Sequence, residues 1–323
     1  MAELPKVNPE GLAKTYSGFG IPLILPAWII IGFFLVIPVA MMLVYSFLTK
    51  EFRGGVIWEF SLSAYDQFFL YRALFGDSPP VIEWTYISIF WRSIWQAGLA
   101  TFCCLIIGFP TAWFIATRTG RNKTIWLFLI TIPYWVNLLI RTISMKFLIR
   151  DNGPLNEFFL SIGLISEPFH IINTNFAVQL GLFYSYLPFM VLPIYAAVER
   201  YNFALSEAAA DLYASRTVTL FKVILPTVKP GIVAGCILVF VPSLGAFLAP
   251  DLLGGAKNFM IGSLIEEQFK GAAGNWPFGA AASMILLSLV LIVLTFYARN
   301  QTRGQIICIG RMSICGILRA SNP

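Results

Sequence analysis

The sequence predicts an all-α integral membrane protein with six transmembrane helices, and three observations support this fold class. Of the 323 residues, 58% are hydrophobic and only 12% are charged, whereas about 25% of the residues of an ordinary soluble domain are charged. Six long stretches carry almost no charged side chain. Lys and Arg are also shared unequally between the loops that these stretches define. Together these features indicate a chain that folds in lipid.

The apolar stretches predict spans at 22–48, 86–117, 124–149, 176–198, 231–250 and 278–299. A bilayer core of about 30 Å requires about 20 helical residues, and each stretch reaches that length. The first is longer than the apolar core of about 7 to 15 residues in a secretory signal, so we expect it to stay as an anchor. We therefore divide the chain into an N-terminal segment (1–21), a transmembrane domain (22–303) and a tail (304–323) that is expected to be divergent or disordered.

The distribution of basic residues predicts that both termini lie in the cytoplasm. In this orientation the inner segments carry thirteen Lys and Arg residues and the outer segments carry six, and cytoplasmic loops are the ones that retain these residues. The formal net charge of +6 then follows from membrane topology. Nucleic-acid binding is disfavoured, because no basic folded surface is predicted.

The sequence lacks the groupings that catalysis or metal binding requires. The tail cysteines Cys308 and Cys315 have no His or acidic residue nearby, which disfavours a metal site. His170 is the only histidine and falls in an outer loop, so no nucleophile, base and acid meet at membrane depth. No Gly-rich phosphate loop with Lys and Ser or Thr is present. We therefore expect no enzyme and no cofactor bound by this chain.

Charged side chains within the spans are limited to three cations. Arg92, Arg141 and Lys146 fall in the predicted spans, and no Asp or Glu does. Arg92 and Lys146 are expected to extend to the outer surface, while for Arg141, the deepest of the three, outward extension and a functional role are equally favoured. An ion-coupled carrier normally needs ionisable groups in the membrane, so this scarcity argues against one.

The inner loop of residues 199–230 has helix signals of its own. Ser206 is expected to cap a short helix, and Glu207 follows it at the positive helix end. Ser215 is expected to cap a second short helix that ends at Pro226. Two short helices on the inner face suit insertion into a groove of a soluble partner. The alternative is an amphipathic connector that lies on the membrane.

A known pattern appears in this loop. Glu207-Ala208-Ala209, followed after thirteen residues by Val223-x-Leu225-Pro226, resembles the EAA loop of binding-protein-dependent ABC importer permeases. The resemblance implies a cytoplasmic coupling-helix loop between helices 4 and 5 that docks onto a separate ATPase. The implied coupling residues are Glu207, Ala208, Ala209, Asp211, Leu212, Tyr213, Val223, Leu225 and Pro226. Tyr213 stands where the family usually has Gly, which costs about 1 kcal/mol or more if the turn is left-handed.

The resemblance extends to permeases of the spermidine/putrescine type. It is carried by the segments 132–142, 151–156 and 251–280, although Asn275 stands where this group often has Asp. It implies polyamine import into a bacterial cell through the cytoplasmic membrane. The implied partners are ABC ATPase subunits that hold ATP and Mg, a second permease subunit and an extracytoplasmic solute-binding protein. Candidate contacts of the outer mouth with the substrate or the receptor are Asp151, Asp251, Glu266, Glu267 and Trp276; solvated loop carboxylates are the alternative.

Two other functions stay open from the sequence. One is an ABC permease for another small polar solute, because no carboxylate is predicted at mid-membrane depth for a polycation. The other is a self-contained channel or secondary carrier whose inner loop lies on the membrane. Only the ABC permease hypothesis requires that an ATPase chain form a complex with this chain.

Overall fold

The structure is a computed structural model, and it describes residues 9–51, 55–71, 81–82, 84–255, 258–270 and 274–320. Side chains are described for residues 25–51, 55–69, 84–255, 258–270 and 274–299. The side chains of Cys308 and Cys315, which the sequence analysis considered, lie outside these ranges.

The described backbone is mostly helical, as predicted. The helices are α1 (Pro9–Ser46), α2 (Ser63–Phe69), α3 (Trp84–Ala116), α4 (Arg121–Trp135), α5 (Leu138–Ile149), α6 (Pro154–Ser161), α7 (Asn175–Glu199), α8 (Ala204–Asp211), α9 (Arg216–Thr219), α10 (Leu225–Leu244), α11 (Ile261–Lys270) and α12 (Trp276–Ala320). Two π-helical turns span Leu220–Ile224 and Pro250–Gly254. Two short antiparallel pairs join β1 (Leu48–Lys50) to β2 (Val56–Phe60) and β3 (Leu70–Tyr71) to β4 (Val81–Ile82).

Five of the described helices are long and apolar enough to cross a membrane, and a bent helix pair can supply a sixth crossing. The five lie at Leu25–Ser46, Trp84–Ala116, Asn175–Glu199, Arg216–Leu244 and Trp276–Arg299. They correspond to five of the six predicted spans. α12 continues to Ala320, so its backbone includes most of the segment that was expected to form a separate tail.

The third predicted span, 124–149, is not one continuous helix but a bent pair of helices. α4 ends at Trp135, and α5 with α6 leaves it at an angle of 92°. The side chain of Asn137 accepts a hydrogen bond from the Leu139 N–H at 2.8 Å and so caps α5. Pro133 also removes one hydrogen bond from the last turn of α4. The break follows from these two local preferences, which hydrophobicity alone does not register.

The fifth span begins earlier and ends earlier than predicted. Helical structure runs without a break from Arg216 to Leu244, so the second loop helix does not end at Pro226. Pro226 lies in the first turn of α10, where its missing N–H is tolerated. In the preceding π-helical turn, the Leu225 N–H donates a hydrogen bond to the Leu220 carbonyl. α10 stops at Gly245 rather than reaching residue 250.

The core lies where α3, α7 and α10 pack together, and small residues allow these helices to approach closely. A Cβ atom on Gly231 of α10 would lie 2.4 Å from the Ala197 Cβ of α7, and one on Gly108 of α3 would lie 2.9 Å from Met190. Ile194 and Val239 are fully buried between these helices. α1 packs along α12, and its described side chains are largely exposed, as expected for a helix that faces lipid.

Candidate functional site

The short helix α8 begins differently from the prediction. The side-chain oxygen of Asn202 accepts a hydrogen bond from the N–H of Ala204, the first residue of α8, at 3.1 Å. Ser206 is therefore not the N-cap. It lies inside the first turn, and its hydroxyl is 2.7 Å from that of Tyr201. Glu207 remains in the first turn of α8, where a carboxylate interacts favourably with the helix dipole.

Tyr213 adopts the left-handed conformation that glycine would favour, with φ of 56°. Its N–H donates to the Ala210 carbonyl at 2.9 Å, and the Ala214 N–H donates to the Ala209 carbonyl at 3.1 Å. These two bonds form a Schellman motif, which normally places Gly at this position. The chain thus keeps the turn and accepts the strain, while the Tyr213 side chain is 99% exposed.

The beginning of the inner loop is anchored to α3 by aromatic side chains. Tyr201 is buried, and its ring lies 6.3 Å from that of Trp113 and 5.4 Å from that of Phe203. A second connection is the ion pair of 2.6 Å between Lys123 of α4 and Glu199 at the end of α7. The loop is thereby held on the ends of three helices, α3, α4 and α7.

The structure brings the two halves of the predicted coupling pattern together. α8 packs against α9 and against the π-helical turn that contains Val223. Val223 itself packs on the core cluster of α3, α7 and α10. The remaining coupling candidates separate into an exposed set, Glu207, Ala208, Asp211, Leu212, Tyr213 and Pro226, and a partly buried set, Ala209 and Leu225. Leu212 is 82% exposed, so the outward face of α8 is acidic and apolar.

The outer candidates do not form one cluster. Asp151 is half-buried, with one carboxylate oxygen 3.1 Å from the Nδ1 of His170. Glu267 is exposed, and Trp276 is 39% exposed in the first turn of α12. No group of three or more His, Cys, Asp or Glu residues suited to a metal occurs among the described residues.

Glu266 and Asp251 share a basic neighbour that the sequence did not reveal. Glu266 accepts a hydrogen bond from Lys270 one helical turn away in α11. That hydrogen bond is the main cause that raises the pKa of the Lys270 ammonium, and Asp251 adds attraction to it. Glu266 therefore already binds a cation of this chain, and Asp251 adds a weaker attraction to the same cation.

Asn275 performs a role that Asp would also fulfil. Its side-chain oxygen accepts from the Phe278 N–H at 3.2 Å and caps α12, and its amide donates to Gln67 at 2.9 Å. The helix cap is therefore kept, although Asn replaces the Asp that the family often has at this position.

Arg141, for which outward extension and a functional role were equally favoured, is buried, with 5% of its surface exposed. A second polar feature of the membrane domain was missed. Gln96 of α3 donates to Asn175 at 2.9 Å and is contacted by Gln179, which links α3 to the N-terminal end of α7. The signal was the polar residue itself, but its partners are about 80 residues away in the sequence.

A small cavity of about 90 Å³ lies where three helices are irregular. Its walls come from α5 after the break, from α7 near Pro188, and from the residues between α10 and the second π-helical turn. The lining residues are Leu138, Thr142, Leu182, Ser185, Tyr186, Gly245, Ala246, Phe247, Leu248 and Ala249. The lining contains no ionisable carboxylate or amine, and its polar groups are hydroxyls and backbone.

Comparison with known proteins gives consistent results. The spermidine/putrescine transport system permease protein PotB of Escherichia coli (strain K12) is 39% identical over 272 residues, covering 84% of this chain and 93% of that protein. The protein of the same name from Haemophilus influenzae is 38% identical over 276 residues, covering 85% and 91%. These relatives are inner-membrane permeases, and together with the apolar helices they establish a multi-pass bacterial inner membrane protein.

Solved structures support the fold. A bacterial ABC transporter involved in the import of the acidic polysaccharide alginate matches with a TM-score of 0.63 and 16% identity, covering 92% of this chain and 99% of that chain. Residues 89–303, about two thirds of the sequence, match the family described as binding-protein-dependent transport system inner membrane component. The chain therefore belongs to this family of transport subunits.

Proposed function

We propose that this chain is a permease subunit of an ATP-driven importer that moves polyamines such as spermidine and putrescine across the bacterial cytoplasmic membrane. The observation that carries the proposal is the identity of 38–39% to spermidine/putrescine permeases over most of both chains. The helices and the exposed α8 supply a physical basis for it. In this proposal the chain crosses the membrane six times with both termini inside, and α4 with α5 makes the third crossing.

The proposed partners follow from what this chain lacks. The chain has no phosphate-binding loop, so ATP and Mg would be bound by ABC ATPase subunits. α8 would insert into a groove of such a subunit, with Glu207, Leu212 and Tyr213 on the contact face. A second permease subunit would complete the passage, and an extracytoplasmic solute-binding protein would deliver the cargo. The family description, which names binding-protein-dependent transport, supports partners of this kind.

The cavity between α5, α7 and the end of α10 is the proposed route of the cargo. Discontinuous helices supply substrate sites near the midplane of other transporters. A lining of hydroxyl and backbone groups would hold an ammonium group weakly, which suits a step that must release its cargo. Selection would then be made by the binding protein, with Asp151, Asp251, Glu266, Glu267 and Trp276 as candidate contacts at the outer mouth.

The coupling role is tested by Glu207→Lys. Glu207 is exposed in the first turn of α8, and a Lys there would oppose the helix dipole and reverse the charge offered to the ATPase. We expect uptake of labelled spermidine and putrescine to fall at least about tenfold, which corresponds to about 1.4 kcal/mol. The amount of chain inserted in the membrane should not change.

Glu59→Lys provides the matched control. Glu59 is an exposed carboxylate of β2, outside the inner loop, so the same charge reversal should leave uptake nearly unchanged. Normal uptake with Glu207→Lys would argue against the docking role. Purification of this chain from its native membrane without an ATPase would favour a self-contained carrier, and uptake of a different solute would retain the ABC permease and reject the polyamine cargo.

A further inference from the structure

Arg141 is a buried cation that connects three helices. It lies in the first turn of α5, and one terminal nitrogen, Nη2, donates to the carbonyls of Val136 at 2.8 Å and Tyr134 at 3.1 Å. The other, Nη1, donates to the carbonyl of Ser185 on α7 at 3.4 Å. One side chain thus joins α5 to the end of α4 and to the middle of α7.

The surroundings explain why a charge is stable at this depth. The last carbonyls of a helix lack partners within that helix and carry partial negative charge, and Arg141 supplies donors where α4 breaks. The rings of Tyr134 and Tyr184 lie 5.8 Å and 6.0 Å from the guanidinium carbon, close enough for a cation–π interaction. Among the described residues no carboxylate forms an ion pair with Arg141, so the helix end and the rings stabilise the charge.

The contacts of Arg141 flank the small cavity. Leu138 and Thr142 lie within one turn of Arg141 on α5, and Ser185, whose carbonyl Arg141 contacts, lies on α7; all three line the cavity. The Nη1 hydrogen bond to Ser185 links α5 to α7 at the cavity wall, and the two Nη2 bonds link α5 to the end of α4. The planar guanidinium of Arg donates to several acceptors in fixed directions, and the ammonium group of Lys does not reproduce this geometry.

We propose that Arg141 is a positioning residue that holds the break between α4 and α5 against α7 and so sets the width of the cavity. This inference rests on the proposed function only where it concerns transport, because the geometry of the break is measurable without cargo. Arg141 would act on the passage step through the cavity walls and not on capture of the cargo by the binding protein.

The test uses the whole transporter complex with Arg141→Met, which keeps an apolar stem, and Arg141→Lys, which keeps the charge. Spin labels on Cys residues introduced at the exposed positions Trp126 of α4 and Phe147 of α5, in a chain whose native cysteines are replaced, report the angle of the break. We expect both variants to shift or broaden the distance distribution, and Arg141→Met to do so more.

We expect the Arg141 variants, in the reconstituted complex, to take up labelled spermidine with a maximal rate at least about tenfold lower and with KM changed less than about twofold. The reason is that loss of a hydrogen bond to a charged group typically corresponds to a factor of ten or more. Lys146→Met, a cation removed from the same helix α5, should change neither the distances nor the uptake. If Arg141 had only a structural role, its replacement would lower the amount of complex. It would not lower the maximal rate while KM stays nearly constant.

Each outcome decides the proposal. Unchanged distances in both Arg141 variants, or equal shifts with Lys146→Met, would overturn it. Failure to recover either Arg141 variant when Lys146→Met is recovered would show a folding role and would also overturn it. If the unaltered complex hydrolyses ATP but moves no polyamine, the proposed cargo is wrong, and the spin-label distances still decide the role of Arg141.

Discussion

At the scale of single residues, Tyr213 shows a local strain that the sequence pattern signalled in advance. The family normally places Gly at this position, and the sequence left open whether the turn changes or Tyr213 tolerates it. The structure shows the second outcome, since φ is 56° and both hydrogen bonds of the Schellman motif are present. The exposed ring gains no buried contact in return, so any benefit of Tyr213 must come from a partner surface.

Replacement of Tyr213 by Gly should therefore stabilise the end of α8. We expect a gain of about 1 kcal/mol, because Gly adopts the left-handed conformation without a Cβ penalty. Hydrogen exchange of the amides that close the Schellman motif should slow by a factor of about five. Ala214→Gly is the matched control: Ala214 does not have a positive φ, so exchange there should become faster. Faster exchange in Tyr213→Gly would show that the turn is not strained.

At the scale of helices, close packing of α7 and α10 depends on the absence of a side chain at Gly231. A Cβ there would lie 2.4 Å from the Ala197 Cβ and 2.7 Å from the Pro193 carbonyl oxygen. Neither atom lies at the end of a flexible side chain, so the helices would have to separate. Gly98 of α3 offers the opposite case, since a Cβ there meets no atom within 4 Å.

Gly231→Ala should lower the thermal stability of the purified chain. We expect a cost of about 1–3 kcal/mol for overpacking, seen as a lower unfolding temperature in detergent. Gly98→Ala should leave that temperature nearly unchanged or raise it slightly, because Ala favours helix over Gly. Equal effects of the two substitutions would mean that the contact between α7 and α10 is not tight.

At the scale of the whole molecule, the proposed six-crossing topology depends on the break in the third span. α4 has 15 residues and alone is shorter than the roughly 20 residues that a crossing requires. In the proposed arrangement, the chain after the bend completes this crossing. Because Lys and Arg are concentrated in the segments assigned to the inside, an even number of crossings with both termini inside fits the positive-inside rule.

Fusions to a reporter enzyme that is active only outside the cytoplasm test this topology. A fusion after Gly163, beyond α6, should be active, and one after Asp211, in the inner loop, should be inactive. The second result also places α8 on the side of a cytoplasmic ATPase. Activity after Asp211, or inactivity after Gly163 with α4 and α5 both inserted, would contradict the six-crossing arrangement.

The sequence by itself determined the helical membrane fold, the approximate positions of five spans and the inner loop with its two short helices. These depend on hydrophobicity, charge distribution and short motifs, which are local properties. The Ser206 cap was wrong, because α8 begins before Ser206 and Asn202 accepts from the Ala204 N–H. The end of the second loop helix at Pro226 was wrong, because a π-helical turn accommodates the proline within a continuous helix. The bend in the third span was not located, because it depends on Asn137, which caps the new helix α5.

Only the tertiary structure decided the fate of Arg141 and of the outer carboxylates. A sequence pattern places a charge at a depth but does not show which carbonyls or rings surround it. The carbonyls of Tyr134 and Val136 reach Arg141 only because the chain bends there, and Ser185 and Tyr184 belong to a helix far away along the chain. The attraction of Asp251 to Lys270 likewise comes from a segment outside α11, whereas the Glu266–Lys270 pair lies within that helix. Local physics fixed where the helices form, and contacts between distant segments fixed what their polar residues bind.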